Sequence, residues 1–149
     1  MNQNSGMTLI VKTVTRVTVW IIILYGFYII FHGHLTPGGG FGGGVIIALA
    51  FLNFLLAYGK EETNIWLKID LLKDAEASSA TLFLIIGILG IGIGGAFLAN
   101  FINHGTLFRL ISSGTILPLN IIIGVKVGLS LFLVVWFLAK IKIEKGEDS

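Results

Sequence analysis

Lys126 is the residue whose type and position most directly indicate chemistry. It lies seven residues into the apolar stretch 119–139, between Gly124 and Gly128, and Ser130 follows one turn later on the same helical face. A lysine inside a membrane costs at least about 2.5 kcal/mol, so it normally forms an ion pair, loses its proton or lines a water path. We therefore interpret Lys126 as a candidate for an ion or proton path. A structural ion pair and a side chain that snorkels to the interface are the alternatives.

Four other polar residues are weaker candidates for the same path. Thr18 and Tyr25 are seven residues apart and share one face of a helix, and Asn53 lies in a second apolar stretch. Buried Thr and Tyr side chains more often bond neighbouring helices than line a path. His34 stands beside a glycine-rich turn, where it either fixes the turn by hydrogen bonding or relays protons at an exit.

The chain offers few groups that could bind a cofactor. His32, His34 and His104 could begin a metal site, but the surrounding loops supply no carboxylate as a fourth ligand. Cysteine is absent, which excludes disulfides and iron–sulfur clusters held by this chain. Residues 38–43 match the letters GxGxxG without the strand and acidic residue that a dinucleotide site needs. We therefore predict no metal, no cofactor and no catalysis by this chain alone.

The composition predicts an all-α integral membrane protein. Of 149 residues 55% are hydrophobic and 12% are charged, and the mean hydropathy is +0.94. Apolar segments long enough to cross a bilayer predict four transmembrane helices in one membrane domain (1–149). Between the second and third helices, alternating apolar and charged residues predict a short amphipathic interfacial helix anchored by Trp66. The predicted spans are about 9–31, 40–58, 80–101 and 119–139, and the interfacial helix about 64–77.

The basic residues predict the orientation. Eight of the ten Lys and Arg residues flank the predicted spans on one side, whereas Arg109 lies on the other side and Lys126 within a span. This asymmetry places both termini in the cytoplasm and the glycine-rich turn outside, in a multi-pass protein of the cell membrane. Basic residues in such positions set topology and do not indicate nucleic-acid binding.

The same assignment leaves Lys126 without a carboxylate in this chain, because no acidic residue falls inside a predicted span. We therefore expect its counter-ion to come from another polypeptide, which implies assembly into a complex.

Glycine is concentrated where helices are expected to pack closely. The glycine turn, residues 32–44, leads into the second helix, and we predict Pro37 at the first helical position. Gly90 and Gly94 have GxxxG spacing in the third helix, as Gly124 and Gly128 have in the fourth. The residues of the turn for which we predict this packing role are Pro37, Gly38, Gly39, Gly40, Phe41, Gly43 and Gly44.

Residues 33–44, GHLTPGGGFxGG, resemble the signature of the B subunit of Mrp-type multisubunit Na⁺/H⁺ antiporters, the MnhB or MrpB family. The related small membrane subunit of energy-converting membrane-bound hydrogenases and sulfane sulfur reductases carries the same module. The resemblance implies a non-catalytic membrane subunit of a cation/proton translocating module. Its partners would be other small and large membrane subunits, Na⁺ or H⁺ and the lipid bilayer.

The last helix departs from the antiporter pattern. Stand-alone antiporter subunits tend to carry an acidic residue followed by an Ile-Gly-Val-Tyr-like string, whereas residues 122–126 read IIGVK. This favours the respiratory branch, in which a redox arm drives ion pumping. A stand-alone antiporter subunit and a purely structural adaptor remain the alternatives.

Overall fold

The computed structural model describes residues 7–35, 37–101 and 113–147, and these residues form helices without strands. Four of the five helices are long and apolar enough to cross a membrane, and in the last helix the candidate span ends at Ile141. The prediction of an all-α membrane protein with four spans is therefore confirmed. The helices are α1 (Leu9–Phe31), α2 (Gly39–Tyr58), α3 (Lys60–Leu67), α4 (Ile69–Gly94) and α5 (Ile116–Glu147).

The four long helices pack in the spatial order α1, α2, α5, α4. α1 and α2 are antiparallel, since the amide of Met7 donates to the carbonyl of Ala57 at 2.8 Å. α2 and α5 run parallel to each other, and α4 runs antiparallel to α5. α5 therefore lies between α2 and α4, and side chains on two of its faces are available to different neighbours.

The apolar core lies at the end of the bundle opposite the glycine turn, which we call the α3 end. Phe132 is fully buried there, and its ring centroid is 5.5 Å from that of Phe51 and 6.4 Å from that of Trp136. Leu55, Leu133 and Ile69 complete the cluster. These side chains come from α2, α4 and α5, so the cluster joins three helices at one end.

The segment after α2 differs from the sequence prediction of one interfacial helix over 64–77 and a span over 80–101. Lys68 has a φ of 44°, in the left-handed region, and this residue ends α3 and precedes α4. From Ile69 the chain continues as one helix to Gly94. Asp70, Lys73 and Asp74, which suggested an interfacial helix, are instead exposed on the first turns of a long helix, and Glu76 is half-buried there. The first residue of this helix, Ile69, is buried in the core cluster.

The glycine turn also differs in one detail. α2 begins at Gly39, and Gly38 before it has a φ of 134°, which only glycine adopts readily. Pro37 therefore precedes the first helical residue by two positions, and the prediction that it occupies that position is wrong.

The glycines of α4 are covered by the chain's own return segment. After Gly95 the backbone turns, and the amide of Leu98 donates to the carbonyl of Gly87 at 3.3 Å. A Cβ at Gly90 would lie 2.8 Å from the amide nitrogen of Ala99. The GxxxG positions of α4 thus accommodate residues 96–99 in place of another helix.

Candidate functional site: an ion pair between two spanning helices

Lys126 forms an ion pair with Glu76. The ammonium group on α5 donates a hydrogen bond to Oε1 of the Glu76 carboxylate on α4. The hydroxyl of Ser130 donates to the same oxygen at 2.7 Å. The structure thus brings the predicted pair Lys126 and Ser130 onto one helical face and adds a carboxylate from the neighbouring helix.

The ion pair joins two helices that are long and apolar enough to cross a membrane. Lys126 is ten residues after Ile116 and fifteen before Ile141, which at about 1.5 Å per residue is about 15 Å and 22 Å along α5. Glu76 is seven residues after Ile69, or about 10 Å along α4. In the isolated chain the Lys126 and Glu76 side chains are 38% and 24% exposed. The pair therefore faces a side of the α4–α5 contact that remains open to water, lipid or a neighbouring subunit.

The expectation that another polypeptide supplies the counter-ion is wrong, because Glu76 of this chain supplies it. The sequence prediction misses Glu76 because it places residues 64–77 in an interfacial helix and begins the third span at Ala80. A signal for it exists in the sequence: Glu76 is the acidic residue nearest that predicted span, and an ion pair with a carboxylate is one of the ways in which a lysine within a span is stabilised.

A carboxylate in this arrangement can bind a cation or a proton in place of its present partner. Glu76 accepts hydrogen bonds from an ammonium and a hydroxyl on one oxygen. Its carboxylate and the Ser130 oxygen are the kind of hard ligands that an alkali cation or a proton prefers. While the Lys126 ammonium stays in place, it neutralises the carboxylate and excludes a second cation. A mobile ion that binds Glu76 therefore has to displace the Lys126 ammonium.

The other candidates for the path lie apart from the ion pair. The hydroxyl of Thr18 donates to the Val14 carbonyl of its own helix at 3.0 Å. Tyr25 is 55% exposed and its ring stacks on Tyr28 at 6.4 Å between centroids. Asn53 is half-buried on α2. In the described part of the chain no hydrogen bond joins these three side chains to the pair.

The two histidines that the structure describes, His32 and His34, lie at the glycine turn. His32 stacks on Tyr28 with ring centroids 4.1 Å apart, and His34 is half-buried in the turn. His104 and Arg109 lie outside the described residues, and so does Thr36, which belongs to the glycine turn. Within the described ranges, no three His, Cys, Asp or Glu side chains are grouped as a metal ion would require.

Glycines of α2 set the position of α5, the helix that carries Lys126. A Cβ at Gly40 would lie 2.3 Å from the carbonyl oxygen of Asn120, and one at Gly44 would lie 2.7 Å from that of Gly124. Such distances are too short for any side chain, so the two backbones are in direct contact. Because Lys126 follows Gly124 by two residues, this contact fixes its height along the bundle.

The remaining glycine contact of α2 is made with α1. A Cβ at Gly43 would lie 2.7 Å from the carbonyl oxygen of Gly26. Gly42 has open space around it, and the neighbouring Phe41 is 65% exposed. The turn therefore packs α2 on two sides and leaves Phe41 on the free surface.

Comparison with known proteins agrees with the motif. A family model described as a domain related to the MnhB subunit of Na⁺/H⁺ antiporters matches residues 10–133. An uncharacterized protein of Methanocaldococcus jannaschii is 38% identical over 137 residues, which cover 87% of this chain and 52% of that protein. A Staphylococcus aureus protein named antiporter subunit mnhB2 is 46% identical over 61 residues, covering 41% of this chain and 43% of that protein.

A solved structure extends the similarity to the fold. A chain in the structure of the membrane-bound sulfane sulfur reductase, an archaeal respiratory membrane complex, superposes with a TM-score of 0.69 at 30% identity. The match covers 91% of this chain and 61% of that chain, and this chain spans about half the length of the curated relatives it matches. The resemblance seen in residues 33–44 is confirmed: this chain is a multi-pass membrane protein that belongs to the family of domains related to the MnhB subunit of Na⁺/H⁺ antiporters.

Proposed function

We propose that this chain is a non-catalytic membrane subunit of a multisubunit module that translocates Na⁺, H⁺ or both, within an energy-converting respiratory complex. The observation that carries the proposal is an ion pair inside two membrane spans of an MnhB-related chain. Similarity to a chain of a respiratory membrane complex supports the assembly with other membrane subunits. The chain acts without a bound cofactor, and both termini face the cytoplasm in agreement with the distribution of basic residues.

In this proposal Lys126 and Glu76 form one switching element of the path. A charged pair within a bilayer is costly unless it is well satisfied, so such pairs tend to mark ion or proton pathways. When a cation or proton from a neighbouring subunit reaches Glu76, the electrostatic attraction that holds Lys126 is weakened. The Lys126 ammonium then moves away from the Glu76 carboxylate toward the Ser130 oxygen, and the pair returns to its resting arrangement after the ion leaves.

The test measures transport in the assembled complex. Lys126→Ala and Glu76→Gln are compared with Lys73→Ala, which removes a lysine from an exposed ion pair on the same helix as Glu76. Inverted membrane vesicles carry the complex, and the Na⁺-dependent decay of a proton gradient is followed by a fluorescent pH probe. We expect Lys126→Ala and Glu76→Gln to lower transport at least tenfold, and Lys73→Ala to leave it unchanged.

A structural adaptor is the second candidate function, and one observation favours it. The ion pair is satisfied within the chain, by Glu76 and Ser130, so it can hold α4 on α5 without conducting any ion. A native gel separates the two functions. An assembled complex that transports normally with Lys126→Ala refutes the path, whereas loss of the complex together with transport favours the adaptor.

A further inference from the structure

A groove separate from the ion pair lies at the α3 end of the bundle, between α1, α2 and α3. Its volume is about 170 Å³. Ile23, Phe51 and Phe54 are among the apolar side chains that line it, and Arg16 and Trp66 stand at its mouth. Nothing in the proposed ion path uses these residues.

Arg16 provides a positive charge at this mouth. Its guanidinium carbon lies 5.9 Å from the centroid of the Trp66 ring, and the side chain is exposed. Among the residues that the structure describes, no carboxylate forms a salt bridge with Arg16, whereas nearby Lys12 is paired with Glu62 at 2.8 Å. An exposed guanidinium with this geometry is suited to bind a phosphate through two parallel hydrogen bonds.

The groove leads from this charge toward the middle of the bundle. Arg16 and Ile23 both line it and are seven residues apart on α1, a distance of about 10 Å along the helix. Trp66 is 64% exposed, as is typical of tryptophan at the level of the lipid headgroups. The groove thus combines an exposed guanidinium beside a tryptophan ring with an apolar lining that extends along α1.

We propose that this groove binds one anionic membrane phospholipid. Its phosphate contacts Arg16, and one of its apolar chains lies against Ile23, Phe51 and Phe54. The aromatic face of Trp66 covers the glycerol region at the mouth. Charge complementarity selects the lipid over a protein segment, because Arg16 needs an anion and the rest of the lining needs hydrocarbon.

Bound lipid would also fix α3. The salt bridge between Lys12 and Glu62 and the hydrogen bond from the Tyr58 hydroxyl to the Lys12 carbonyl, at 3.1 Å, join the start of α1 to this region. Trp66 belongs to the last turn of α3. A lipid that contacts both Arg16 and Trp66 therefore adds a contact where α3 otherwise leaves large side chains exposed.

The test uses native mass spectrometry of the full chain in detergent, with phosphatidylglycerol and phosphatidylcholine added at equal concentration. We expect the wild-type chain to retain phosphatidylglycerol about tenfold better than phosphatidylcholine. Both lipids carry a phosphate, but the choline ammonium of phosphatidylcholine offsets the attraction of its phosphate to Arg16. Arg16→Gln removes this preference, and Arg16→Lys keeps part of it. Lys140→Gln, which removes an exposed charge from α5, leaves it unchanged.

One further variant and one further condition distinguish the lipid from other ligands. Ile23→Trp fills the groove, and we expect it to lower retention of both lipids while circular dichroism shows the same helix content. Inorganic phosphate at millimolar concentration does not displace the lipid if the apolar chain contributes. Any of three results would overturn the proposal: phosphate displaces the lipid, Arg16→Gln retains phosphatidylglycerol as well as the wild-type chain does, or position 23 forms a photo-crosslink to another subunit in the assembled complex.

Discussion

Breaking the ion pair on one side should destabilise the protein more than removing both charges. Glu76→Gln leaves the Lys126 ammonium inside the α4–α5 contact without a carboxylate. Lys126→Met leaves the Glu76 carboxylate with the Ser130 hydroxyl as its hydrogen-bond donor. The double variant removes both charges and keeps side chains of similar size.

The expected magnitude follows from the burial of the pair. Removing one partner of a fully buried pair costs about 3–5 kcal/mol, because the remaining charge stays desolvated. Here the two side chains are 38% and 24% exposed in the isolated chain, so we expect a smaller coupling free energy, about 1–3 kcal/mol. The double variant should be within about 1 kcal/mol of the wild-type protein.

The assay is a double-mutant cycle on the free energy of unfolding, measured by SDS titration in mixed micelles and followed by circular dichroism. The ion pair between Lys73 and Asp70 is the matched control. Its Nζ and Oδ1 atoms are 2.8 Å apart, but its side chains are 44% and 96% exposed. We expect no measurable coupling there. If Glu76→Gln and Lys126→Met are additive within about 0.5 kcal/mol, the reasoning about the ion pair is refuted.

Three other substitutions, with Gly42→Ala as the control for the first, test the packing of the helices and the ion pair between Lys12 and Glu62. Gly40→Ala should lower the free energy of unfolding by about 1–3 kcal/mol in the same SDS titration, because it disrupts the α2–α5 contact. Gly42→Ala, whose added Cβ meets nothing within 4 Å, should change it by less than about 0.5 kcal/mol. Equal effects of the two substitutions would contradict the direct backbone contact. Phe132→Ala, at a fully buried site, should cost about 3–5 kcal/mol, and a loss below about 1 kcal/mol would show that the α3 end is not a packed core. Glu62→Gln should lower the free energy of unfolding by less than about 1 kcal/mol, because the ion pair between Glu62 and Lys12 is partly exposed. The thermal midpoint of this variant should also depend less on salt concentration than that of the wild-type protein. An unchanged salt dependence would contradict the ion pair.

The sequence was most informative where one chemical property determines the structure. Apolar length alone predicted four spanning helices, and the first agrees with α1 at both ends (Leu9–Phe31). Glycine spacing predicted close helix contacts, and the positions around Gly44 and Gly124 do meet backbone to backbone. These properties are local, because hydrophobic length and the lack of a side chain act the same way in any membrane helix.

The sequence was least informative where charged residues border an apolar segment. Alternating charges over 64–77 are equally compatible with a helix on the membrane surface and with the first turns of a spanning helix. The choice depends on tertiary contacts, chiefly burial of Ile69, which is 4% exposed in the core cluster. Periodicity cannot report such a contact, so the position of Glu76 could not be derived from the pattern alone.

The left-handed residue Lys68 determines whether the ion pair can form. It lets α4 start at Ile69, whose side chain lies in one cluster with Leu133 of α5. Glu76 follows Ile69 by seven residues, and Lys126 precedes Leu133 by seven. Because the helices are antiparallel, two turns along each lead to the same level, so the core cluster brings the carboxylate and the ammonium together. One residue more or fewer between Ile69 and Glu76 would turn the carboxylate about 100° around α4 and away from Lys126.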